Sequence, residues 1–152
     1  MSEQASSRQD PSSSAPAPAE GGCLCGAVRY RLALVPRHVV HCHCSQCRGA
    51  PVAPVVTWTM VRETEFAIVK GEPAWFVSSD HGRRGFCARC GTQLLFVSTR
   101  YPGAVDVTAA SFDDPERLVP LRHVFAPERI PWLEMSDSLP RHVGDSKSER
   151  ML

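Results

Sequence analysis

The chain's seven cysteines fall in three clusters: Cys23-Leu24-Cys25, Cys42-His43-Cys44-Ser45-Gln46-Cys47 and Cys87-Ala88-Arg89-Cys90. Thiolate sulfur is a strong zinc ligand, and cysteines one or two residues apart are the usual building blocks of tetrahedral sites. Seven is one more than three disulfides use and one fewer than two complete four-thiolate sites require. The arithmetic points to one closed zinc site and one with three thiolates. An open fourth position is where chemistry or ligand exchange takes place.

Period-two alternation along a strand would put Cys42 and Cys44 on one face and His41 and His43 on the other, and would align Cys23 with Cys25 in the same way. Cys87 and Cys90, followed by Gly91, read instead as a tight turn, and Cys44 and Cys47 repeat that spacing. The triplet Cys42, Cys44 and Cys47 suits three corners of a tetrahedron. Spacing equally permits Cys44, Cys47, Cys87 and Cys90 as the closed site, leaving Cys23, Cys25 and Cys42 for the other. The fourth position of the three-thiolate site would take water, a substrate thiol, or a side chain such as Asp80, His81 or His123. A histidine there would make that site structural.

The elements that must position these thiols read as short strands. Ala27 to Leu32, Val39 to Cys44, Val55 to Trp58, Glu65 to Val69, Trp75 to Ser78, Gln93 to Val97 and Val105 to Thr108 are rich in β-branched and aromatic residues and are broken by Gly, Pro and Asp. One helical turn is expected near Asp113-Asp114-Pro115, where an acidic cap precedes a first-turn proline. The expected architecture is mainly β.

Of the 152 residues, 1–20 are Ser, Ala and Pro-rich and read as a disordered leader without the apolar core of a secretory signal. Residues 21–140 form the expected folded unit, and 141–152 a loose polar tail. A core of this size gains from bound metal. A formal net charge of +1 argues against nucleic acid as a partner. No apolar run is long enough to span a bilayer, and dense cysteine without an export signal fits reduced, metal-bound thiols in a soluble cytoplasmic protein.

The segments Gly22-Cys23-Leu24-Cys25-Gly26-Ala27-Val28, His41-Cys42-His43-Cys44-Ser45-Gln46-Cys47-Arg48 and Arg84-Gly85-Phe86-Cys87-Ala88-Arg89-Cys90-Gly91-Thr92 occur in order along the chain. They are followed by Val105-Asp106-Val107-Thr108, Phe112-Asp113-Asp114-Pro115, His123-Val124-Phe125 and Pro131-Trp132. In these the sequence resembles the glutathione-dependent formaldehyde-activating enzymes, a family that includes the domain of centromere protein V. The resemblance implies an Mss4-like fold of small antiparallel sheets organised around two zinc sites. It implies Cys23, Cys25, Cys87 and Cys90 as ligands of a structural Zn²⁺, and Cys42, Cys44 and Cys47 as ligands of a catalytic Zn²⁺. The implied activity is that of a carbon–sulfur lyase on a small-molecule thiol and aldehyde, formaldehyde and glutathione in the family.

One departure bears on the substrate. Arg48 leads directly to Gly49-Ala50, where family members often carry several more residues, so the segment beside the open site is short. Arg48 and Arg84 are the candidates for substrate contacts, and Trp58 and Trp132 either line a pocket or pack. Two other classes compete with the enzyme: a non-catalytic zinc module that binds a protein or nucleic-acid partner, and a thiol redox or metal-storage protein.

Overall fold

The computed structural model describes residues 17 to 151. The leader expected over residues 1–20 lies outside the described residues as far as position 16. Its last two residues already belong to the fold: strand β1 runs Ala19–Gly22, with Ala19 buried and Glu20 bonded to Arg31 at 2.6 Å. One alanine at the end of a Ser/Ala/Pro stretch carries no apolar pattern, so this boundary is set by tertiary packing.

Among the described residues, β1, β2 (Arg29–Leu32) and β5 (Phe66–Lys70) form a three-stranded antiparallel sheet. A seven-stranded sheet has the order β10-β3-β4-β9-β8-β7-β6. Its members are β3 (Val39–Cys42), β4 (Val56–Arg62), β6 (Ala74–Ser79), β7 (Gly82–Phe86), β8 (Gln93–Ser98), β9 (Ala104–Thr108) and β10 (Arg122–Val124). Neighbours are antiparallel except β10, which pairs with β3 in parallel. The expected helical turn is a 3-10 turn over Pro115–Arg117, and a short helix α1 over Ser45–Gly49 adds to it.

The apolar residues separate into two cores on opposite faces of the large sheet. Alternation sends Val39 and Val61 to one face, and Val40, Cys42, Val56 and Trp58 to the other. The larger core lies between the two sheets. Its centre is Tyr30, edge-on to Phe112 at 5.3 Å between ring centroids, with its hydroxyl 2.7 Å from Ser111 Oγ. The smaller core joins Trp58 and Val124 to Cys42, with Cys44, Cys47, Phe96 and Phe125 packed around it.

One expected strand stops early, and the alternation read for Cys23 and Cys25 has no strand beneath it. The strand read as Val39 to Cys44 ends at Cys42, and Cys23 lies past the end of β1 in a turn. β7, Gly-Arg-Arg-Gly-Phe, was not expected as a strand: only phenylalanine in it favours sheet. The tail at residues 141–151 is tied down by backbone bonds, His142 N–H to His123 O at 2.9 Å and Val143 N–H to Glu149 O at 2.9 Å, and His142 is buried. Polar composition hides order of this kind, because hydrogen bonds rather than apolar burial create it.

Candidate metal centres

The sulfurs of Cys23, Cys25, Cys87 and Cys90 lie within 4.8 Å of one another, and those of Cys42, Cys44 and Cys47 form a second group by the same measure. Two knuckles build the first centre. Cys23 accepts from Val28 N–H at 3.2 Å, and Gly26, at φ 70°, turns the chain back after Cys25. On the opposite side, Gly91 N–H donates to Cys87 O at 2.8 Å, with Gly91 at φ 76°. Thr92 joins the knuckles: its Oγ1 lies 3.1 Å from Cys90 Sγ and accepts from Leu24 N–H at 3.1 Å. Cys23 and Cys87 are buried in the larger core.

The donor spacing fits a tetrahedral ion. With a Zn–S bond of about 2.3 Å, tetrahedral sulfurs stand about 3.8 Å apart. Cys23 and Cys25 are 3.6 Å apart, and Cys25 and Cys87 3.8 Å. Bonds from Thr92 hold the Cys90 thiol down to about 5. Burial and neighbouring thiols oppose ionising the whole set at once, so a cation is the natural partner of these sulfurs.

The second centre sits where β3 gives way to α1. Cys42 ends the strand, Cys44 precedes the first helical residue, and Cys47 lies inside the helix. The sulfurs therefore converge through a strand-to-helix turn rather than by strand alternation. Hydrogen bonds from Cys42 and Cys47 pull the Cys44 thiol far down. Hydrogen bonds from Cys44 and Cys47, with burial, push Cys42 up. Neither Asp80, His81 nor His123 belongs to the group.

Arg84 and Arg48 stand differently toward this centre. Arg84 is only 4% exposed, its Nη2 is 3.7 Å from Cys47 Sγ, and its guanidinium lies 4.8 Å over the Phe96 ring. Its Nη1 is buried without a partner. Arg48 donates from Nε to His43 O at 3.0 Å and from Nη2 to Glu128 O at 3.4 Å, bracing α1 against the turn at Ala126–Glu128. Trp58 is buried with an unpartnered Nε1, whereas Trp132 is 71% exposed and lines no part of the centre.

Sequence reasoning missed two groups. Asp106 follows Arg84 and Phe96 in a cross-strand row, Arg84 opposite Phe96 and Phe96 opposite Asp106. Burial raises its carboxyl to about 7, against the pull of Arg84. His43, next to two of the cysteines, is fully buried and its Nε2 is 2.8 Å from His123 Nδ1. His123 Nε2 in turn lies 3.0 Å from both carboxylate oxygens of Asp137. The alternation of His41 and His43 hinted at a histidine face, but no local pattern marks Asp137. A cleft of about 630 Å³ opens beside His43 and His123, while a larger one of about 790 Å³, lined by Phe66, Trp75 and Val97, contains no cysteine.

The model of the family described as "Glutathione-dependent formaldehyde-activating enzyme" matches residues 18–128. A Halomonas elongata protein named "Putative glutathione-dependent formaldehyde-activating enzyme" is 27% identical over 129 residues, covering 76% of this chain and 80% of that one. A crystal structure of a Rhodobacter sphaeroides protein from structural genomics shares the fold, with a TM-score of 0.53 and 22% identity over 62% of this chain and 87% of that one. Among the described residues no helix is long and apolar enough to cross a membrane. The chain belongs to the family of glutathione-dependent formaldehyde-activating enzymes.

Proposed function

We propose that the chain is a zinc-dependent enzyme of carbon–sulfur lyase type that makes and breaks a thiol–aldehyde adduct resembling S-hydroxymethylglutathione. The observation that carries this is the second centre: three clustered thiols that, among the described residues, have no fourth cysteine, histidine or carboxylate in the group. Two Zn²⁺ per chain are expected, a structural one at Cys23, Cys25, Cys87 and Cys90 and a catalytic one at Cys42, Cys44 and Cys47. Zinc, when bound there, supplies stabilisation of a thiolate nucleophile; three thiolate ligands leave the centre net negative and keep added sulfur electron-rich.

The chain's own residues do the rest. Arg84, positive and buried beside Cys47, offsets negative charge at the centre. Phe96 holds the guanidinium plane. Arg48 positions α1, and through it Cys47, with Nη1 left for a substrate carboxylate. In the forward direction the thiol sulfur bonds to the aldehyde carbon, the carbonyl π bond opens, and the thiol's proton ends on the new hydroxyl oxygen. The reverse returns thiol and aldehyde. A cytoplasmic setting, where thiols stay reduced, suits the centre.

Exchange spectroscopy of formaldehyde with a panel of thiols that includes glutathione, with Cys47→Ser as control, tests this reading. Acceleration by the native protein and none by the variant supports it; no acceleration for any thiol overturns it. A second reading, a non-catalytic zinc module, draws on strand β6, an edge strand whose Phe76 and Val77 are 64% and 74% exposed. That surface suits a partner protein, and an inactive protein with two tightly held zinc ions would favour it.

A further inference from the structure

The hydrogen-bonded row Asp137, His123, His43 has no part in the chemistry above, yet its inner end lies between two cysteines of the second centre. His43 and His123 are each 1% exposed, and their rings meet edge to edge in nearly one plane, with centroids 5.1 Å apart and planes 18° apart. His123 N–H donates to Pro140 O at 2.8 Å, and His43 N–H donates to Val124 O at 3.1 Å, so main chain and side chains bind the same segments together. Asp137 is itself oriented by Leu139 N–H at 3.0 Å and by Arg141, whose Nη2 is 3.5 Å away.

We infer that His123 and Asp137 are positioning residues for the three-thiolate centre, holding the Cys42–Cys44 turn in its ligating shape through the side chain of His43. This rests on the reading of that centre as a metal site. The direction of the hydrogen bonds follows from elementary donor counting. The Asp137 carboxylate only accepts, so His123 Nε2 carries a proton and donates. The second nitrogen of a neutral His123 then accepts from His43 Nε2–H, which leaves His43 Nδ1 as a lone pair. That Nδ1 is buried without a partner. One tautomer of each ring is selected, and the ring of His43 is locked over the backbone that carries Cys42 and Cys44. Partners of this kind behind a metal site typically change affinity or activity by about 10- to 100-fold when removed.

The protein carries its own control, because the four-cysteine centre is built from other segments. The test follows zinc transfer to a chelator in the native protein, Asp137→Ala and Asp137→Asn. Asparagine still offers an oxygen to His123 Nε2–H, whereas alanine does not. The expected result is two release phases, one of them accelerated about tenfold or more by alanine and restored by asparagine, the other unmoved. Equal acceleration of both phases, or of neither, overturns the inference. Long-range proton–nitrogen spectra of the native zinc-loaded protein add a readout that needs no variant: His43 is expected with its proton on Nε2. A proton on Nδ1 overturns the stated direction and with it the locking. Neither measurement uses formaldehyde or a thiol, so a protein inactive on both would still show the two-phase release.

Discussion

Arg84 Nη2 stands 3.7 Å from Cys47 Sγ, in a side chain with only 4% of its surface exposed. A buried guanidinium with no carboxylate bonded to it is costly unless negative charge lies close by. Clustered thiolates provide that charge. Arg84→Met, which keeps much of the packing volume over Phe96, is expected to leave a folded protein with two zinc ions and to lower turnover by about tenfold or more. Arg84→Lys restores charge but not the guanidinium that lies over Phe96, and should recover only part of the loss. Steady-state turnover with metal analysis checks this, and unchanged turnover in Arg84→Met would remove Arg84 from the reaction.

The two centres differ in what their loss should do. Cys23 and Cys87 are buried in the larger core, and their centre clamps the turn after β1 to the β7–β8 hairpin. Cys87→Ser or Cys23→Ser is expected to abolish folding, since structural zinc contributes on the order of 10 kcal/mol of apparent binding energy. Cys47→Ser, on the edge of the smaller core, should give a folded protein with one zinc and no activity. Circular dichroism and metal content separate these outcomes; unfolding by all three would contradict the division of roles.

Asp106 makes stability depend on pH. Its carboxyl titrates near 7 in the folded protein because burial disfavours the charge, whereas the unfolded group titrates in the ordinary carboxylate range. The folded state therefore holds a proton that the unfolded state has already released. Stability from this group is full below the unfolded value and is lost as pH rises through about 7. Between about pH 6 and about pH 8 the native protein should lose about 1 kcal/mol that Asp106→Asn retains, read from denaturant midpoints at each pH. Parallel curves for the two proteins would refute the assignment.

Val52, just past α1, has φ 54° and is 90% exposed. A β-branched residue in the left-handed region is strained, and no burial compensates it. Val52→Gly is expected to raise stability by about 1 kcal/mol without altering metal content, as measured by urea unfolding. A loss of stability would mean that the valine makes a contact worth more than the strain.

The thiol inventory and the β character were legible in the chain, because cysteine spacing and β-branched runs are local signals. Strand alternation brought the right sulfurs together for a reason the structure replaces: β1 ends at Gly22 and β3 at Cys42, and turns complete both Cys-x-Cys pairs. Gly82 to Phe86 escaped notice as a strand, being held by its neighbours on either side rather than by its own propensity. Asp106 was legible only as part of a strand, and nothing local marks Asp137. Their roles come from cross-strand register and from a C-terminal segment folded back onto β10, and no periodicity records contacts between residues so distant in sequence.

The two centres also differ in when they can be finished. The ligands of the first are all present once Cys90 has left the ribosome. Those of the second emerge by Cys47, but the parallel strand β10 and the segment bearing Asp137 come from the last third of the chain. Synthesis at the usual 5–20 residues per second leaves roughly several seconds in which Cys42, Cys44 and Cys47 are made and not yet supported. Metal delivered after Cys90 has emerged would meet a complete set of four thiols beside three whose support is still to be made. The support of the second centre is thereby completed late, with the arrival of β10 and Asp137.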